Sequence, residues 1–505
     1  MRVNDVIGLK DWNNTNVYII KSGTGTSKTE TAKRLIKEIE QDQNKKFRNI
    51  FYAVPTNKLK RDIANNRFGK EIKFKMTPDF DELKDRELKR KLNFYQERGL
   101  YKQLKKYIKN LLSTGFVLDV NDSIILNEYV CCQKELKDYR GVILTTHKRF
   151  IYMPPQAYID SIVIIDEDFI ETLYEVVDFT VGDVGYASAN IPSLKDLIDF
   201  RISEIVGKPY KEINKLTPLN YYYDTVDIAE NEILENDVNI NIFDFLDSSY
   251  VYMYNPVDNA NEEVSDTTII RCMLVRPLPF MHTIIMSATI NQHMWKDILS
   301  EQSRKVYFAE VPKVKYAGNL RLMGKHSYSR EYFKQNEGLF RQIVDKHKDI
   351  TNMNIISFEK MLIEEGISGE NIHHFFSMLG VDTLNGKPLT IIGKPEKNDL
   401  YYKFLAYAIY GVNFENTERV YMEVETDEYI FWLYTYEQEE LRNIHMWVIQ
   451  TELEQCIGRA RLVMPENKDT IVNVYCGFPP SQAEIVIDDE LDNIPSKWKP
   501  KKKDI

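Results

Sequence analysis

Cysteine is scarce in this chain and scattered: Cys131, Cys132, Cys272, Cys456 and Cys476 form no C-x-x-C pair. That excludes a zinc ribbon or a disulfide framework, and a few free thiols suit a reducing, cytosolic setting. Long apolar runs are missing as well. None approaches the roughly 18 residues of a membrane span, and Met1-Arg2-Val3-Asn4-Asp5 lacks the apolar core of a signal peptide. No membrane partner is therefore expected. Internal repeats, low-complexity stretches and Gly/Ser-rich linkers are also absent. The 505 residues must then be divided by core size, and about 150 residues per domain suggests about three units.

A net charge of −10 leaves no general basic coat, but the charge is segregated. Residues 83–109 hold ten Lys or Arg against three Asp or Glu, residues 224–266 are acidic, and the tail from Lys497 to Lys503 is basic. Segregation of this kind permits local nucleic-acid binding on an acidic protein.

Short apolar runs alternate with helical patterns: Val17–Ile20, Ile50–Val54, Val142–Thr145, Ile162–Ile165, Thr283–Met286, then Ile355–Ser357, Leu389–Ile392 and Thr470–Tyr475. Such alternation predicts parallel α/β sheets. The runs fall into two sets, which places one α/β domain at 1–300, a second at 310–480, and a basic tail at 481–505. The first domain carries two insertions, a basic helical one at about 66–140 and an acidic mixed one at about 170–275.

Ser22-Gly23-Thr24-Gly25-Thr26-Ser27-Lys28-Thr29 lies between a strand and a helix start, where backbone N–H groups cradle an anion. Lys28 would reach the β- and γ-phosphates of ATP, and the Thr29 hydroxyl would sit on Mg²⁺. Ser27 stands where glycine usually precedes the lysine, and Ser22 where the first glycine belongs. Ile162–Ile165 empties into Asp166-Glu167, delivering two carboxylates to the C-terminal edge of a parallel sheet. Asp166 is placed to hold Mg²⁺, and Glu167 to orient and deprotonate an attacking water. Ser287 and Thr289, after another strand, are placed to hydrogen-bond the acidic pair and couple it to domain closure. In Gln455-Cys456-Ile457-Gly458-Arg459-Ala460-Arg461, Gln455 precedes Arg459 by one helical turn. Both can thus address one site, with a guanidinium stabilising charge on a transferring phosphoryl group.

Taken in order, these motifs resemble motifs I, II, III and VI of superfamily 2 helicases. Val54-Pro55-Thr56 looks like motif Ia, Thr145-Thr146-His147 like the later backbone-contacting element, Ile355–Phe358 like motif IV, and Gly380-Val381-Asp382 with Leu389–Pro395 like motif V. The closest flavour is that of viral and phage replication helicases, including the herpesvirus origin-binding type. The resemblance implies two tandem RecA-like domains with ATP and Mg²⁺ between them. It implies that Gly380 and Asp382 belong with the nucleotide-binding residues, and that Gln455, Arg459 and Arg461 complete catalysis from the second domain. It also implies a strand gripped by Pro55, Thr56, Lys58, Thr146 and Ser357. Motif II reads Asp-Glu-Asp-Phe, and Arg461 stands six residues after Gln455 where many relatives have seven, so Arg459 is the firmer finger. Cys131 and Cys132 are too few for the iron–sulfur cluster of the repair helicases.

The reading is an ATP-dependent helicase acting on DNA, single-stranded or as a tailed duplex, in replication or recombination. The alternatives are a double-strand translocase that does not unwind, and a nucleic-acid-binding regulator with a degenerate ATPase. The acidic insertion suggests a protein contact or structural packing.

Overall fold

The computed structural model describes residues 16–23, 28–41, 47–69, 71–97, 101–114, 119–153, 155–219, 223–236, 238–256, 264–323, 326–348, 353–378, 383–414, 416–486 and 501–503. The first sheet has seven parallel strands, in the spatial order Lys305–Glu310, Asn16–Lys21, His282–Ser287, Ile162–Asp166, Asn49–Val54, Gly141–Thr146, Phe74–Met76. Alternate residues of its central strands enter two separate cores. Val17, Ile19, Phe51 and Ala53 pack with Phe150 and Trp295, whereas Tyr18, Ile20, Ile50 and Tyr52 pack with Leu35, Ile36 and Ile63. Burial on both faces is why these strands read as unbroken apolar runs.

The second sheet is also parallel, in the order Ile372–His374, Asn354–Ser357, Leu389–Ile392, Ile471–Tyr475, Asn319–Met323, Glu484–Val486. The chain passes from the first sheet to the second between Glu310 and Asn319. Two parallel sheets flanked by helices are the two consecutive α/β domains that the alternation predicts, and they match the tandem RecA-like arrangement that the resemblance implies.

The segment between Met76 and Gly141 contributes three helices, Arg86–Glu97, Tyr101–Ser113 and Val120–Asp138, with a small core of Phe80, Leu92, Leu104, Ile108 and Leu126. The segment after Ile170 builds a four-stranded antiparallel sheet, ordered Tyr174–Thr180, Ile269–Val275, Tyr250–Tyr254, Asn214–Lys215, with helices of its own. A second antiparallel sheet follows the second domain's strand Leu389–Ile392. Its hairpin, Arg419–Glu425 and Tyr429–Tyr436, is joined by Lys501–Lys502 of the basic tail. Helices Asp399–Tyr410 and Glu439–Gly458 flank it, and their Leu405, Ile409, Ile444 and Val448 share a core with Trp295 and Leu299 from beside the first sheet. No helix among the described residues is long and apolar enough to cross a membrane.

The apolar runs miss five parallel strands, namely Phe74–Met76, Lys305–Glu310, Asn319–Met323, Ile372–His374 and Glu484–Val486. Four of them lie at the margins of the sheets and are partly exposed. An edge strand needs only one buried face, or part of one, and so shows no continuous hydrophobic signal.

Candidate functional site

The site grows from four adjacent strand ends. Asn16–Lys21 delivers the phosphate-loop segment, His282–Ser287 delivers Ser287, Ile162–Asp166 delivers the acidic pair, and Asn49–Val54 delivers Pro55 and Thr56. Ser22 donates its backbone N–H to Ser287 O at 3.0 Å, tying the start of the loop to the neighbouring strand. Thr24, Gly25, Thr26 and Ser27 lie outside the described residues, as do Gly380 and Asp382. Lys28 and Thr29 open the following helix, Lys28–Gln41.

Glu167 is the hub. Its carboxylate accepts from Lys28 Nζ at 2.7 Å, from the Ser287 hydroxyl at 3.3 Å and from Gln455 Nε2 at 3.1 Å. Arg459 in turn donates to Gln455 Oε1 at 3.3 Å. Residues 28, 167 and 287 flank the first sheet, whereas 455 and 459 end the helix Glu439–Gly458 beside the second. Glu167 is held in a left-handed conformation with φ 75°, which costs a residue with a Cβ about 1–3 kcal/mol. The bond from its N–H to Met286 O at 2.9 Å and the three side-chain bonds oppose that strain. Burial alone would push its carboxyl up, but Lys28, Arg459 and Gln455 outweigh burial and hold it below the usual carboxylate range.

Asp166 sits in a different field. Burial raises its pKa above the usual value against the pull of Lys28. Its Oδ2 accepts from the Tyr52 hydroxyl at 2.8 Å, and its Oδ1 is buried with no hydrogen-bond partner. An oxygen left in that state favours a hard cation, which prefers oxygen ligands. The Thr29 hydroxyl lies beside Tyr52 and accepts from Arg67 at 3.2 Å. One carboxylate and one hydroxyl fit a Mg²⁺ ion that takes its other ligands from phosphates and water. No group of three or more His, Cys, Asp or Glu among the described residues could hold a metal unaided.

Ser287 and Thr289 hydroxyls lie 3.2 Å apart, and Thr289 O accepts from the indole N–H of Trp447 at 2.8 Å. The helix that presents Gln455 is thus bonded to the same tripeptide that touches Glu167. Arg461 follows the helix end with φ 51°, in a left-handed conformation that takes the chain out of the helix.

The residues expected to grip a strand are placed unevenly. Thr56 and Thr146 cap the helices Asn57–Asp62 and His147–Ile151, each accepting a backbone N–H at 3.2 Å, and each hydroxyl keeps a hydrogen to donate. Pro55 is half-buried and Lys58 exposed. Ser357 is fully buried and donates to Ile392 O at 2.6 Å, so its hydroxyl is turned to the interior and is not offered to a strand. In its neighbourhood His373 lies close enough to Lys58, behind the larger effects of burial, His374 and Lys387, for its pKa to be lowered.

Tyr52 and Arg67 were not legible as site residues. Tyr52 is an interior strand residue, and Arg67 lies in the π-helical turn Ile63–Phe68, where Asp62 also holds its guanidinium at 2.8 Å. His147, read in sequence only as part of the Thr145-Thr146-His147 element, has its Nε2 2.9 Å from Asp166 O.

No family model matches this chain, and no curated protein does. Solved structures resemble it. The apo form of XPD aligns with a TM-score of 0.49 at 12% identity, over 96% of this chain and 99% of that one. Xpd4 of S. tokodaii aligns with 0.46 at 11%, over 94% and 96%. S. cerevisiae Dbp5, solved with RNA and ADP BeF3, aligns with 0.34 at 10%, over 94% and 80%. At these values the likeness concerns the path of the chain alone.

Proposed function

We propose that this chain is a nucleic-acid-stimulated ATPase of the helicase type, which separates or moves along strands by closing two RecA-like domains. The observation that carries the reading is the Glu167 carboxylate, bonded at once to Lys28 of one domain and to Gln455 of the other. A carboxylate so placed reports domain closure directly to the group that would activate water. Lys28 exchanges Glu167 for phosphate oxygens when nucleotide enters. Glu167, released from Lys28, orients the attacking water and takes its proton, while Arg459 balances charge developing on the phosphoryl oxygens. Thr29 and Asp166 would hold Mg²⁺, which neutralises phosphate charge when bound. Thr56, Lys58 and Thr146 line one side of the strand path and the His373–His374 edge the other, in keeping with a grip made mostly on phosphates.

ATP hydrolysis measured with and without single-stranded DNA and RNA tests the reading. Stimulation is expected from at least one of them, with Lys28→Ala and Glu167→Gln both inactive. Strand displacement on duplexes with 5′ or 3′ tails then separates unwinding from translocation, and DNA from RNA. Hydrolysis that survives in Lys28→Ala, or none at all in the unaltered protein, refutes it.

A further inference from the structure

The hairpin Arg419–Glu425 and Tyr429–Tyr436 has two unlike faces. One face sends Val424, Phe431 and Leu433 into the second domain's core. The other carries Tyr421, Trp432 and Tyr434, which are 41%, 38% and 52% exposed. Tyr421 pairs with Tyr434 across the ladder, and its ring stacks on Trp432 with centroids 5.3 Å apart and planes at 26°. Three large aromatic rings together in water on one sheet face mark a binding surface.

These rings form one wall of a cavity of about 520 Å³. Arg330 also lines it, with its guanidinium 4.7 Å from the Phe358 ring centre. Lys394 and Lys397, just beyond the strand Leu389–Ile392, and Arg419 also line it. Lys394 is buried against Glu396 and Arg419 is bonded to Glu396 and Asp399, so the exposed Arg330 and the partly exposed Lys397 are the cations turned to the cavity. The cavity therefore lies at the C-terminal edge of a parallel sheet, where ligands of such sheets bind.

Exposed aromatic faces beside the Arg330 guanidinium and the partly exposed Lys397 match an anionic chain that carries flat apolar rings. We infer that this groove binds a single nucleic-acid strand by stacking its bases on Tyr421 and Trp432. The inference rests on the nucleic-acid reading above and deepens it. The second domain holds bases as well as phosphates, so strand binding does not rely on the backbone alone.

Fluorescence anisotropy of the full chain tests it, with labelled oligo-dT, oligo-U and an abasic oligonucleotide of equal length. The unaltered protein should favour the base-bearing strands about tenfold or more, since stacking of one base contributes roughly that much. Tyr421→Ala and Trp432→Ala should each weaken binding of base-bearing strands by about 5- to 100-fold and leave the abasic strand nearly unaffected. Trp432→Phe, which keeps a ring, should retain most of the affinity, and ATP hydrolysis without oligonucleotide should be unchanged in all variants. Equal affinity of variant and unaltered protein for every strand overturns the inference while the helicase reading stands. So does an equal loss on the abasic strand, which would assign the face to phosphate binding. If the unaltered protein binds none of the oligonucleotides, both fall.

Discussion

Replacing Tyr52 by Phe removes a single oxygen and, on the proposed reading, should raise the Mg²⁺ requirement of ATP hydrolysis. Tyr52 lies on the strand Asn49–Val54, paired in register with Ile164 on the strand that ends in Asp166. Its hydroxyl, fully buried, is the donor at 2.8 Å to Asp166 Oδ2, and Oδ1 of the same carboxylate has no partner. Without the phenol, both oxygens of a buried carboxylate face the interior undonated. Losing one such donor costs about 1–3 kcal/mol of folding stability. For a domain of this size that corresponds to a fall in Tm of roughly 2–4 °C per kcal/mol. Loss of an outer partner that orients a metal ligand costs about 10- to 100-fold in metal affinity. A Mg²⁺ titration of ATP hydrolysis at saturating nucleotide should therefore show the midpoint of Tyr52→Phe shifted upward by at least tenfold, with the plateau within a few fold of the unaltered protein. A lower Tm with an unmoved Mg²⁺ midpoint would show Tyr52 to be structural only, and would remove Asp166 from the metal site.

Arg459→Ala should lower nucleic-acid-stimulated hydrolysis by about 10³-fold and leave binding of a fluorescent ATP analogue within a few fold, because Lys28 remains; equal losses in both would place Arg459 in binding instead of in the transition state. His445 is buried, with Nδ1 at 2.8 Å from the Thr435 hydroxyl and Nε2 at 2.8 Å from Glu396. Burial, with Lys394 and Arg419 nearby, pulls its pKa down to about 4 despite Glu396. The folded protein thus refuses a proton that the unfolded chain accepts, so this contribution is complete above about pH 6.5 and is lost as pH falls towards 4. Denaturant unfolding of His445→Gln should accordingly lose stability less steeply over that window, by about 1.4 kcal/mol per pH unit; parallel profiles would contradict the assignment. Gly393 has φ +114°, and a Cβ there would lie 2.3 Å from Phe358 Cε2. Gly393→Ala should therefore cost on the order of 3 kcal/mol, with Phe358→Leu relieving only part of it because the backbone strain remains.

Legibility in the sequence followed burial. Val17–Ile20, Ile50–Val54 and Ile162–Ile165 announce themselves because both faces of each strand are covered, so no polar residue interrupts them. Lys305–Glu310 lies at the edge of the same sheet, keeps exposed ends, and gives no such run. The hairpin of the second domain is hidden for a related reason. One of its faces is wet yet aromatic, so the apolar-in, polar-out alternation that marks a half-buried strand is blurred by Tyr421, Trp432 and Tyr434.

The site divides along a similar line. Lys28, Asp166, Glu167 and Gln455 stand where a strand or helix ends, and local spacing brings such residues to notice. Tyr52 and Arg67 reach the same place through strand register and a π-helical turn, which no local pattern records. Ser357 shows the converse. It ends a buried strand in a recognisable motif, yet its hydroxyl is spent on Ile392 O inside the domain. On the proposed reading the second domain would hold a strand with other groups, and the exposed Arg330 and the rings of Tyr421 and Trp432 lie at the same sheet edge. A motif locates the edge of a sheet at which chemistry occurs. Which side chains there face the ligand is decided by the register of the neighbouring strands, and it is on that level that Tyr52 and Trp432 enter the proposed function.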